Sequence, residues 1–192
     1  TRRQRQMCIR DRVEDRLFAR QVSLQMVIDQ PDQVAAPAAF DGVFSNFGGL
    51  NVIQDWAGLA AALSQLVRPG GVVLLVPMGP VCPWEIGWYL VHRQPRNAFS
   101  RWRDAAEATI GSETIPVWYP AARALRHAFA PWFEHVSTRS LGLWLPPSYL
   151  GQFVNARPGL FIWLNRFEQR TGRITGSWGD HYIMELCRTN RD

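Results

Sequence analysis

Glu85 closes the run Cys82-Pro83-Trp84-Glu85, in which proline suits the first turn of a helix and a carboxylate follows it. Such a carboxylate can orient a substrate or accept its proton. A first-turn Glu favoured only by the helix dipole would look the same. Trp84, Trp88, Trp118 and Tyr119 offer ring faces that attract a cation, although aromatics at helical spacing also make plain core. Gly48-Gly49, after Ser45-Asn46-Phe47, permits close approach of backbone to a ligand. An ordinary strand-to-helix turn uses glycines in the same way. His181, beside Asp180, reads as a satisfied strand residue rather than a catalytic base. Cys8, Cys82 and Cys187 form no Cys-x-x-Cys pair, and His92, His127, His135 and His181 lack ligand spacing. No metal site or disulfide framework is expected, and a reducing cytoplasm fits.

The elements that must position these residues follow from periodicity. Val22–Ile28 predicts a short strand that ends at Asp29 and the turn-prone Gln30-Pro31-Asp32. Phe40–Phe47 predicts a buried strand. Asp55 caps a helix whose apolar face is Trp56, Leu59, Leu63, Leu66 and Val67. Arg68-Pro69-Gly70-Gly71 stops that helix, and Val72–Val76, apolar on both faces, calls for layers above and below. Strand, helix and strand make a βαβ unit with a right-handed crossover. Trp84–His92 reads as an apolar helix and Gln94–Glu113 as a polar cap or second helix. Ala121–Phe129 is helical, Phe133–Leu145 a strand, Ser148–Thr171 a helix broken at Pro158, and His181–Cys187 a closing strand.

With apolar residues at 47% and charged ones at 19%, the composition is that of a globular domain, and 192 residues suffice for one core. The formal charge of +5 is unevenly placed. Residues 1–12 hold Arg2, Arg3, Arg5, Arg10 and Arg12 against Asp11, a net of +4, which leaves about +1 for everything after them. A total that small excludes a nucleic-acid face and gives little pull toward an anionic membrane. The longest apolar runs, such as Val72–Met78, are too short for an integral membrane segment. The segment Gln6–Arg12 lacks helical or strand period and resembles a translated sequencing-adaptor tail; a disordered basic arm would read alike. Residues 1–12 are set aside as a non-native or disordered tail.

From Val22 onward the chain resembles the second half of a class I S-adenosylmethionine-dependent methyltransferase domain of the type 11 kind. The residues that carry the resemblance are Phe-Asp-Gly-Val-Phe-Ser-Asn-Phe-Gly at 40–48, Leu50-Asn51, and the helix leading into Arg68-Pro69-Gly70-Gly71-Val72-Val73-Leu74-Leu75. Two terminal strands around a long helical insertion complete the match. The resemblance implies an α/β fold, a partial doubly wound, Rossmann-like sheet that is mostly parallel with an antiparallel C-terminal strand. It also implies S-adenosyl-L-methionine across the carboxyl ends of the strands. On that basis Ser45, Asn46, Phe47 and Gly48 meet the methionine part of the cofactor, Asp29 accepts from the adenine amino group, and Asn51 frames the pocket. Glu85 would stand near the transferring methyl group, with Trp84, Trp88 and Tyr119 on the substrate side; the apolar cast of Trp84–Val91 and Leu160–Leu164 points to a small, apolar or lipid-like acceptor.

One departure is as informative as the match. The family begins with a strand, a Gly-x-Gly-x-Gly loop and a second strand ending in an acid, and none of these appears here. At about 30 residues per βα unit, some 60 residues of the family pattern lie outside residues 13–192. The family's sheet order would then leave Phe40–Phe47 as an uncovered apolar edge, prone to mispairing, and the chain as written would hold cofactor poorly. A nicotinamide-dependent Rossmann oxidoreductase shares the βαβ core, and a non-catalytic interaction module is a third reading. An antiparallel last strand favours the methyltransferase over the oxidoreductase.

Overall fold

The computed structural model describes residues 20–46, 48–103, 105–110, 112–146 and 151–190. Among them α1 (Leu24–Asp29) and α2 (Pro31–Val34) precede β1 (Phe40–Ser45), a 3-10 turn (Gly49–Val52) and α3 (Trp56–Leu66). Then come β2 (Val67–Leu75), α4 (Pro83–Val91), α5 (Pro95–Ala98) and a 3-10 turn (Ser100–Trp102). The chain continues through β3 (Ala106–Ile110), β4 (Glu113–Val117), α6 (Ala122–Phe129) and β5 (Phe133–Leu141), and ends with α7 (Gly151–Ala156), α8 (Pro158–Thr175) and β6 (His181–Arg188). The expected tail at residues 1–12 lies outside the described residues.

Four strands form the main sheet in the order β1-β2-β6-β5. β1 runs parallel to β2, and β6 runs antiparallel to both β2 and β5. Three of the four strands therefore share one direction, and the last strand opposes them, as expected. The βαβ unit is β1-α3-β2. Asp55 caps α3 by accepting from the Gly58 amide at 2.8 Å. Leu59, Ala60 and Leu63 of α3 join Leu125 and Phe129 of α6 on one sheet face, against Val73, Leu75, Tyr182, Met184 and Leu186. The opposite face is less covered: Phe44 is 63% and Val72 40% exposed, so the layer expected on that side is incomplete among the described residues.

Three expectations are corrected. Val22–Ile28 is not a strand; Leu24–Asp29 is helical, and the Ser23 hydroxyl caps it by accepting from Met26 N at 3.1 Å. Leu24, Val27 and Ile28 lie three and four residues apart, and this helical spacing packs them against the core. The stretch Gln94–Glu113 holds only short helical turns, and its second half pairs as a β3–β4 hairpin. Alternating Ala106–Ile110, a Gly111-Ser112 dipeptide and the β-branched Thr114 and Ile115 are the signal for that hairpin. The Pro69-Gly70-Gly71 stop also falls inside β2 rather than ahead of it, at an irregularity in the β1 pairing where Gly70 adopts φ +75°.

Candidate functional site

β1 and β2 end together. Ser45 pairs with Leu75, Val76 N donates to the Ser45 carbonyl at 3.0 Å, and Gly48 N returns to the Val76 carbonyl at 3.3 Å. Asn46 and Pro77 thus leave the sheet at the same carboxyl-terminal rim. Gly48 takes φ +77°, and a Cβ there would meet the Met78 methyl group at 3.3 Å, so the turn requires glycine. At this rim Ser45 is half-buried and Asn46 exposed. Phe47 lies outside the described residues.

The other two residues assigned to the cofactor have partners within the protein. Asn51 is fully buried, and its amide is spent inside the protein: Nδ2 donates to Met78 O at 3.1 Å and to Trp118 O at 2.5 Å, while Oδ1 accepts from Met78 N at 2.9 Å. Asn51 is a clasp. Asp29 ends a helix instead of a strand, is exposed, and accepts from Gln25 Nε2 at 2.9 Å across one helical turn.

Glu85 does follow β2 on the first turn of α4, but its carboxylate is already partnered. Arg101 Nη2 forms a short ion pair with Glu85 and another with Asp180 at 2.6 Å, and Nη1 donates to the carbonyls of Gly79 and Asp180. All three side chains are largely buried. Burial disfavours the Arg101 charge, yet the two carboxylates outweigh it and raise its pKa. Burial likewise opposes ionisation of Asp180, but hydrogen bonds from His181 and Arg101 and the Arg101 charge hold its carboxyl below the ordinary value. Cys82, beneath them, has its thiol pushed up to about 11, chiefly by burial. The Cys82, Glu85 and Asp180 ligand atoms lie within 4.8 Å of one another, and the cation among them is the Arg101 guanidinium. Its face covers Tyr119 at 5.0 Å, which binds Tyr119 to this cluster rather than to a substrate cavity. Glu85 is therefore a positioning group that fastens α4 to the start of β6, not a free proton acceptor.

Trp84 and Trp88 do share a cavity. It has a volume of about 540 Å³ and is lined by Trp84, Gly87 and Trp88 of α4, Leu143 and Trp144 of the loop after β5, and Leu164 of α8. Because β2 and β5 run in one direction, α4 and the 142–145 loop leave the sheet at the rim that carries Asn46. Apolar walls dominate, with His92 the titratable lining residue. Sequence reasoning missed what shapes the loop wall. Glu168, buried on α8, accepts from the amides of Gly142, Trp144 at 3.0 Å and Leu145 at 3.2 Å. The signal was present: Glu168 is the only acid in residues 158–175.

No family model matches the sequence, and no curated protein matches it. Solved structures do. A protein assigned to the S-adenosylmethionine-dependent methyltransferases, from Listeria monocytogenes, superposes with a TM-score of 0.51 at 12% identity, over 85% of this chain and 67% of its own. Geranyl diphosphate C-methyltransferase from Streptomyces coelicolor matches at 13% identity with a TM-score of 0.49, over 98% of this chain and 58% of its own. A methyltransferase from Methanosarcina mazei matches at 12% and 0.48, over 81% of this chain and 62% of its own. The first of these superpositions gives the chain the class I methyltransferase fold, and the chain spans about two thirds or less of the length of the three structures. At such identities the likeness establishes the fold and not the reaction.

Proposed function

We propose that residues 13–192 are the carboxyl-terminal part of a domain that transfers a methyl group from S-adenosyl-L-methionine to a small, apolar acceptor. The observation that supports this reading is the apolar cavity between α4, α8 and the 142–145 loop, two walls of which leave the sheet at the rim where β1 ends. The antiparallel β6 favours it over a nicotinamide-dependent oxidoreductase.

Ser45, Asn46 and Gly48 suit the methionine end of the cofactor, with Gly48 letting the backbone approach closely. The adenosine end is less well served, because the sequence has no Gly-x-Gly-x-Gly loop and Asp29 is turned to a helix partner. The 192-residue chain therefore binds the cofactor weakly. Bound cofactor supplies the electrophilic methyl group. The residues described here hold the acceptor, exclude water from it and fix its approach, and such placement accounts for most of the rate gain in a transfer of this kind.

Gly87 gives a clean test. A Cβ at Gly87 meets nothing within 4 Å, and its backbone is helical, so leucine fits without strain and fills the cavity. Titration of the chain with 2-naphthol, followed by tryptophan fluorescence, should saturate. Gly87→Leu should weaken binding about tenfold or more, the factor that 1.4 kcal/mol of lost contact represents, with stability equal or improved. Unchanged affinity in Gly87→Leu would remove the cavity from the account.

A further inference from the structure

Among the described residues the outer face of α8 is largely uncovered, with Phe167 alone of its apolar side chains packed on the 142–145 loop through Trp144, and its composition is specific. Phe161, Glu168 and Gly172 are buried on the inner face. On the opposite side Leu160, Trp163, Phe167 and Ile174 are exposed, Trp163 at 59% and Ile174 at 85%. At ~100° per residue these four side chains fall within roughly 60° of arc. Arg166, Arg170 and Arg173 occupy the adjoining arc and are exposed too. The helix's single acid, Glu168, is turned inward onto the 142–145 loop. The exposed face is an apolar stripe beside an all-positive one.

We propose that this face of α8 docks on an anionic lipid surface. The arrangement is that of an interfacial helix, in which aromatic and aliphatic side chains enter the headgroup boundary while arginines reach the phosphates. Among the described residues no helix is long and apolar enough to cross a membrane, so α8 lies on the surface. A second copy fits this face poorly, because a two-fold contact would set arginines against arginines. The small net charge of the domain pointed away from anionic membranes; what counts is that three arginines gather on one helix face with no exposed acid among them.

The stripe also leads to the cavity. Trp163 stacks on Phe167 with ring centroids 5.7 Å apart, and Phe167 meets the edge of Trp144, a cavity wall, at 5.1 Å. Val91, on the facing wall, is 80% exposed. Docking through α8 sets the cavity mouth at the acyl boundary, from which an apolar molecule could enter; this second step rests on the reading of the cavity given above, whereas the docking does not.

Flotation of the 192-residue chain with vesicles tests the docking. Binding should occur with phosphatidylcholine vesicles that contain phosphatidylglycerol, fall as salt is raised, and be weak with phosphatidylcholine alone. The triple variant Arg166→Gln, Arg170→Gln, Arg173→Gln and, separately, the double variant Trp163→Ser, Ile174→Ser should each lose roughly tenfold or more of that binding. Far-UV circular dichroism and melting should stay unchanged, since every altered side chain is exposed. The arginines of residues 1–12 remain in both variants, so binding that survives in them belongs to that segment and overturns the proposal. Absence of vesicle binding overturns it as well, as does self-association abolished by the same substitutions.

Discussion

Asn51 and Met78 hold each other through two hydrogen bonds: the Asn51 amide donates to the Met78 carbonyl at 3.1 Å, and the Met78 amide donates back at 2.9 Å. With its third bond, to Trp118 O, Asn51 ties the turn after β1 to the exits of β2 and β4. Asn51→Ala leaves these buried groups unpaired, at about 1–3 kcal/mol for each. The expected loss is about 3 kcal/mol or more in urea unfolding. A loss below about 0.5 kcal/mol, the level of a surface change, would contradict the clasp.

Arg101 is the cation shared by two buried carboxylates. Arg101→Met strands Glu85 and Asp180, and breaking one side of a buried pair costs about 3–5 kcal/mol. Adding Glu85→Gln and Asp180→Asn to that variant removes the stranded charge and should recover part of the loss. Chemical denaturation of the single and triple variants measures both effects.

Acid sensitivity follows from Asp180, whose carboxyl lies below its ordinary value in the folded protein. Its contribution is fully present above the unfolded-state value of about 3.9, and is lost as pH falls through the lower folded-state value. Denaturation midpoints should therefore drop steeply below about pH 4. In Asp180→Asn that acid limb should be shallower, with lower stability at neutral pH.

β1 pairs only with β2 among the described residues, and Phe44 stands on it 63% exposed. An uncovered apolar edge of this kind invites pairing between chains. Phe44→Lys should reduce aggregation in light scattering while changing stability by less than about 0.5 kcal/mol.

How much of this could be read in the sequence differs between the fold and the site. The β1-α3-β2 unit was legible because Asp55, the Leu59–Leu63–Leu66 spacing and the Val72–Val76 run are local signals that agree with one another. Leu24–Asp29 carries two signals, since Val22, Leu24 and Met26 alternate as a strand would, while Leu24, Val27 and Ile28 fit a helix; the Ser23 cap and the packing against the core decide for the helix. Glu85 reads as a candidate proton acceptor, while its carboxylate is engaged by Arg101, 16 residues on, which also holds Asp180, a further 79 away. No spacing rule reaches across that distance. Asn51 reads as a pocket residue, while its amide is engaged by Met78 and Trp118, a matter of side-chain direction that pattern cannot supply.

We propose that the Asn46–Pro77 rim receives a sulfonium nucleoside rather than a dinucleotide. Thermal shift of the chain with S-adenosylhomocysteine and with NAD tests it directly, since a ligand that binds only the folded state raises apparent stability. Millimolar S-adenosylhomocysteine should raise the melting temperature, and NAD at the same concentration should leave it unchanged. A clear rise with NAD and none with S-adenosylhomocysteine would make the rim a dinucleotide site instead.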